Sequence, residues 1–211
     1  MAILFRTNLG IRFVMDALMK GGIPFHMKDA IPNLFAHWIS LDIIAYLRLV
    51  SGTGNTRANW LRIMNRPNRY IKREALAPFT SDISVAQLKA YYQDKDWMLE
   101  RLDRLEYDLS IMKRMSPYAA IHYLSNAMKY QDYLKDYAKE HHINEQELLD
   151  VLNAVHESSQ SCRTFAEWFT YIDTYTEELQ KQAKSPASND ANNESGVCLC
   201  TLYCAKAVSY T

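Results

Sequence analysis

The sequence predicts a mostly α-helical protein, with a helical insertion domain attached to a small, incomplete α/β part that both chain ends form. Three observations predict it. First, Ala2-Ile3-Leu4-Phe5-Arg6-Thr7-Asn8 and Val197-Cys198-Leu199-Cys200-Thr201-Leu202-Tyr203-Cys204-Ala205-Lys206 are both apolar runs that close on polar groups. That is the pattern of buried strands whose tips carry ligand contacts in open α/β sheets. Second, from about Leu34 the apolar residues recur at helical spacing and go on doing so for most of the chain. Third, residues 184–195 are rich in Ser, Asn, Asp and Ala, lack periodicity, and read as a solvated, flexible loop. The expected organisation is therefore 1–32 with 196–211 as the α/β part, 33–183 as the helical domain, and 184–195 as the loop between them.

Taken in order, residues 2–6 form a short strand. Ile11, Val14, Met15, Leu18 and Met19 then share one face of a helix, which Gly21-Gly22 stops with a left-handed cap. Residues 23–27 follow as a second strand, with Pro24 at its start, where proline is tolerated. Trp38, Leu41, Ile44, Ala45, Leu47 and Leu49 make an amphipathic helix ending at Ser51-Gly52-Thr53-Gly54. Thr56 is the expected cap of the next helix, where Trp60, Leu61, Ile63 and Met64 pack before Pro67 ends it. One long helix is expected over 84–114, on the spacing of Leu102, Leu105, Leu109 and Met112. Ser116-Pro117 places a cap residue before a first-turn proline, and Asn144/Glu147 and Thr164/Glu167 have capping-box spacing. Residues 197–203 return as a strand to the opening sheet.

The charge balance, 24 basic against 24 acidic residues, excludes bulk polyelectrolyte behaviour. It hides an asymmetry: residues 1–76 hold 11 Lys/Arg and 4 Asp/Glu, and the remainder holds 13 and 20. A basic first third suits contact with a phosphate backbone. No apolar run is long enough to span a bilayer, and the four cysteines do not make a disulfide framework, so a cytoplasmic, reduced protein is expected.

The opening strand and helix, Gly22-Ile23-Pro24-Phe25, Ile43-Ile44-Ala45-Tyr46-Leu47-Arg48-Leu49 and Leu61-Arg62-Ile63-Met64-Asn65-Arg66-Pro67-Asn68-Arg69-Tyr70-Ile71 resemble the second half of UvrD/Rep-type superfamily 1 DNA helicases. Thr201-x-Tyr203-x-x-Lys206 stands where that family carries Thr-x-His-x-x-Lys-Gly-Leu-Glu. The resemblance implies an edge of the RecA-like second motor domain at both termini, and the helical accessory domain called 2B between them. It further implies an ATP-dependent 3′–5′ helicase as the parent protein. Tyr203 replaces the family histidine, and Ala207-Val208-Ser209 replaces Gly-Leu-Glu. There is no Gly-x-x-x-x-Gly-Lys-Ser/Thr loop; Gly52-Thr53-Gly54-Asn55-Thr56 lacks the lysine and the spacing and reads as a helix–helix turn. Phosphoryl transfer needs such positioned charges, so this chain alone is not expected to hydrolyse ATP. ATP and Mg are expected in the parent, and no cofactor in this chain.

By the resemblance, Arg6 and Asn8 touch the single-stranded DNA track, Lys206 lies near DNA and nucleotide, and Tyr203 is a degenerate nucleotide-proximal position. Asn8 is equally a good N-cap. The basic run of Arg57, Arg62, Arg66, Arg69, Lys72 and Arg73 is the densest in the chain, and several of its cations can face one duplex backbone; a solvated basic face is the plainer alternative. The family often has Gly-Ile-Gly here, and Tyr70-Ile71-Lys72 argues for side-chain cations instead of bare amides. Cys198, Cys200 and Cys204 read as buried apolar cysteines before a metal site. Tyr118, Tyr123, Tyr130, Tyr133 and Tyr137 read as helix packing before base stacking. The expected partners are DNA, as single strand and duplex junction, and the missing motor domains, with no membrane. The rival reading is a non-catalytic, degenerate helicase-like module that binds a protein partner.

Overall fold

The computed structural model describes residues 2–5, 14, 15, 17, 18, 21–27, 33–54, 56–184 and 196–201. Arg6, Asn8, Tyr203, Lys206 and residues 185–195 lie outside the described residues. The chain is mostly helical with a small parallel sheet, and divides into two compact units: 1–33 with 171–211, and 34–170.

In the first unit, both chain ends do build one sheet. Strands β1 (Ala2–Phe5) and β2 (Phe25–Met27) flank β3 (Val197–Thr201) in the order β1-β3-β2, all parallel. The register sets Ala2 opposite Cys198 and Phe5 opposite Thr201, with Phe25 opposite Val197. Alternation along β3 buries Val197 and Leu199 and leaves Cys198 half-buried, so the expectation of a buried cysteine holds only in part there. Helix α1 is described at Val14, Met15, Ala17 and Leu18, and buries Met15 and Leu18. It stops as its glycines predict. Gly22 has φ 62°, and the amides of Gly21 and Ile23 donate to the carbonyls of Ala17 and Leu18.

The second unit is built around α2 (Trp38–Ser51), which is buried on nearly every side and packs against α3 (Thr56–Ile63), α5 (Asp96–Met112), α6 (Pro117–Asn126) and α8 (Glu145–Ser158). A 3-10 turn at Leu34–Ala36 precedes it, His37 caps it, and Gly52 closes it at φ 71°. The Ser116 hydroxyl caps α6, and the Asn144 side chain caps α8 through the Gln146 amide. Helix α7 (Tyr130–His141) belongs to this unit, and helix α9 (Phe165–Lys184) begins in it and runs on into the part of the chain assigned to the first unit from residue 171.

Two expectations are corrected. The single helix over 84–114 is two helices, α4 (Val85–Tyr91) and α5, separated by a turn. Tyr92 breaks the helix because its ring is buried and its hydroxyl accepts a hydrogen bond from the Lys72 amide. Lys89 of α4 then pairs with Asp103 and Glu106 of α5, which fold alongside. Thr56 does not cap α3; its hydroxyl accepts from the Ile83 amide and ties the start of α3 to the 81–83 segment.

Candidate nucleic-acid interface

The basic run begins on α3 and continues through the 64–72 loop to a 3-10 turn at Arg73–Leu76. Its organising group is a carboxylate that sequence reasoning missed. Asp42 sits on α2 with 0% exposure. Arg62 Nη1 donates to its Oδ1 at 3.1 Å, Arg66 Nη1 donates to Oδ1 at 2.9 Å, and the Tyr130 hydroxyl donates to Oδ2 at 2.9 Å. Burial pushes the Asp42 carboxyl above its ordinary value, while Arg66, the Tyr130 hydroxyl and Arg62 oppose that rise. Three donors on two oxygens leave little room for a carboxyl proton, so Asp42 serves as the ionised partner. The single charge in the stretch Ile39 to Leu47 was the available signal, because an isolated buried carboxylate demands cations.

Arg57 and Arg69 of the run also make protein contacts, and Arg66 makes a further one. Arg66 lies over the Trp38 ring at 5.7 Å. Arg69 Nη1 donates to the Ile63 and Pro67 carbonyls and its guanidinium covers Tyr46. Burial raises the Tyr46 hydroxyl to about 12, which keeps it a donor to the Arg66 carbonyl at 2.6 Å. Arg57 Nε donates to the Leu76 carbonyl. The Arg62 and Arg66 side chains are still 35% and 40% exposed, so each keeps a donor edge towards solvent. Lys72 and Arg73 are exposed and make no ion pair among the described residues.

The loop backbone explains why side chains have to do any binding here. Asn65 Oδ1 accepts from the amides of Ile71 at 2.9 Å and Arg69 at 3.3 Å, and its Nδ2 donates to the Ile71 carbonyl. Asn68 Oδ1 accepts from the Tyr70 amide, and the Tyr92 hydroxyl accepts from the Lys72 amide. All four amides from 69 to 72 therefore point at protein acceptors. Tyr70 has φ 60°, the conformation a glycine would take without strain, and it is held there by these bonds and by the burial of Ile71.

Tyr70 leads to a second group of residues absent from the sequence reading. The guanidinium of Arg101, on α5, lies 5.0 Å from the Tyr70 ring centre and 5.1 Å from that of Trp97. Beside it, a cleft of about 440 Å³ is lined by Arg69, Arg101, Arg104 and Lys129, with Asp108 its one acidic residue. A further cleft of about 540 Å³ meets Pro67, Asn68 and Lys129 too, but carries Asp132, Asp136 and Glu140. Trp97 and Arg101 are four residues apart on one helix, and that spacing was the signal available for them. The tyrosines of α6 and α7 pack as expected: Tyr130 is buried and contacts Tyr46, Tyr118 stacks on His156, and Tyr123 donates to Asp108. Among the described residues no group of His, Cys, Asp or Glu is arranged to hold a metal ion.

Comparison with known proteins bears on both units. The chain is 22% identical over 215 aligned positions to the Bacillus subtilis (strain 168) protein named "Putative ATP-dependent DNA helicase YjcD". That match covers 99% of this chain and 27% of the relative, so the chain spans about a quarter of the relative's length. The family model for the UvrD-like helicase C-terminal domain matches residues 1–201, which takes in both strand-forming ends and every helix between them. The chain therefore belongs to the UvrD-like helicase C-terminal domain family.

Proposed function

We propose that this chain is part of an ATP-dependent 3′–5′ DNA helicase of the cytoplasm, and that its helical unit contacts DNA at the junction of duplex and single strand. Membership of the family over residues 1–201 is the observation that carries this reading. The sheet unit forms an edge of the second motor domain, with Arg6 and Asn8 at its single-strand track and Lys206 and Tyr203 near nucleotide. ATP and Mg are held by motor segments of the parent, since the sequence has no phosphate-binding loop and cannot by itself stabilise the transferred phosphoryl group. Within the helical unit, Lys72 and Arg73 make the primary duplex contacts, and Arg62, Arg66 and Arg69 add the donor edges that their protein contacts leave over. No helix among the described residues is long and apolar enough to cross a membrane.

The test is fluorescence anisotropy of a 3′-tailed duplex, a blunt duplex and a single strand across a salt series. Preference for the tailed duplex is expected. Lys72→Ala with Arg73→Ala should reduce the salt slope by about 2, because each phosphate contact contributes roughly 0.9. Absence of binding at low salt, or an unchanged slope in the double variant, would overturn the assignment.

A further inference from the structure

The group around Arg101 lies outside the basic run and has its own geometry. Tyr70 and Trp97 are 59% and 50% exposed, among the most exposed large aromatic side chains in the described residues. Arg101 is exposed and held against both rings at once. Aromatic faces attract a guanidinium through their quadrupole and fix its plane, leaving the in-plane N–H groups directed outward. Helix α5 is rich in carboxylates, yet neither Arg101 nor Arg104 makes an ion pair among the described residues. The acidic neighbour in the cleft, Asp108, accepts from the Tyr123 hydroxyl at 2.9 Å.

The two sides of the 67–68 corner differ in sign. The α5 side presents Arg101 and Arg104, and the α7 side presents Asp132, Asp136 and Glu140. A polyanion crossing this corner is drawn to the first side and repelled from the second.

We infer that Trp97, Tyr70, Arg101 and Arg104 form a single-strand site: phosphate binds the edges of the two guanidiniums, and unpaired bases stack on the open faces of the two rings. Exposed rings favour unpaired bases because a base inside a duplex already has both faces covered by its neighbours. This rests on the reading of the helical unit as a DNA-contacting domain, and extends it to the unpaired strand beside the duplex.

Intrinsic tryptophan fluorescence of the full chain tests it, since Trp60 and Trp168 are buried, Trp38 is partly buried with Arg66 over its ring, and Trp97 is half exposed; the Trp97→Phe variant separates the Trp97 signal from that of Trp38. A thymidine dodecamer should quench the emission, and a blunt duplex should quench it far less. Trp97→Phe should remove most of the quenching and keep single-strand affinity within about twofold; Trp97→Ala should weaken that affinity roughly tenfold, within the range for loss of one stacked base. Arg101→Ala with Arg104→Ala should weaken it further and flatten its salt slope, with Arg101→Lys between that variant and the unaltered chain. The thermal midpoint of each variant reports its folding. Equal quenching by blunt duplex, or unaltered single-strand affinity in Trp97→Ala, would overturn the site while leaving duplex binding in place. No binding to any DNA would overturn the underlying reading as well.

Discussion

Two groups of arginines in the helical unit show how little charge density says about availability. Arg62, Arg66 and Arg69 lie in the densest basic stretch, yet they converge on Asp42 and on backbone carbonyls. Arg101 and Arg104 lie on a helix with many acidic residues, yet make no ion pair among the described residues. The difference is the presence of a buried acceptor. A carboxylate with no exposure has to be matched by cations, and those cations become part of the framework. The first group shapes the loop, and the second is left to face solvent.

The sharpest way to break this comparison is Asp42→Ala. It leaves two guanidiniums and the Tyr130 hydroxyl without their shared acceptor, and should cost about 3 kcal/mol, the lower end for a broken buried pair because both arginines reach water. Urea denaturation measures it; a loss under about 1 kcal/mol, no more than an exposed pair contributes, would mean the cluster is not structural. Next in size, Arg66→Ala with Arg69→Ala should lower stability by about 1–2 kcal/mol through lost hydrogen bonds and cation–π contacts. Any DNA-binding defect in that variant should accompany a lower melting midpoint. Lys72→Ala with Arg73→Ala should shift stability by no more than about 0.5 kcal/mol, as usual for exposed positions, and affect only binding. Equal midpoints for the two double variants would erase the distinction between framework and surface cations.

Protonation gives the smallest expected effect. Burial lowers the pKa of both His37 and His156, the latter stacked under Tyr118 with its Nε2 3.1 Å from the Tyr118 carbonyl. With folded values below the unfolded one, the unfolded chain binds more protons in that interval. Stability is then fully present above the histidine range and falls as pH drops through it. Thermal melts between pH 7.5 and 5.5 should show this decline, and His156→Gln should make it shallower. A midpoint that rises on acidification would contradict the burial of these rings.

The parts of the fold legible in the sequence are those set by near neighbours. Gly22 and Gly52 occupy left-handed caps, Ser116 caps α6 ahead of Pro117, and Asn144 caps α8. The pairing of the two chain ends was legible from two apolar runs with polar tips. The break between α4 and α5 was not, because the periodicity of α5 continues plausibly backward and the interruption comes from Tyr92 reaching Lys72, 20 residues away. Likewise the Thr56 hydroxyl has cap spacing, but its partner is the Ile83 amide, 27 residues on.

The sequence by itself determined the helical class, the caps at Gly22, Gly52, Ser116 and Asn144, and the sheet shared by the two ends. Each depends on groups a few residues apart or on a pattern repeated along the chain. Only the tertiary structure decided which cations are held and which are available. Asp42 lies 20, 24 and 88 residues from Arg62, Arg66 and Tyr130, and the ring of Tyr70 meets Arg101, which also lies over Trp97, only in the folded chain. The physical reason is that a charge takes its role from the acceptors and rings brought within a few ångströms of it, and spacing along the chain does not encode that distance.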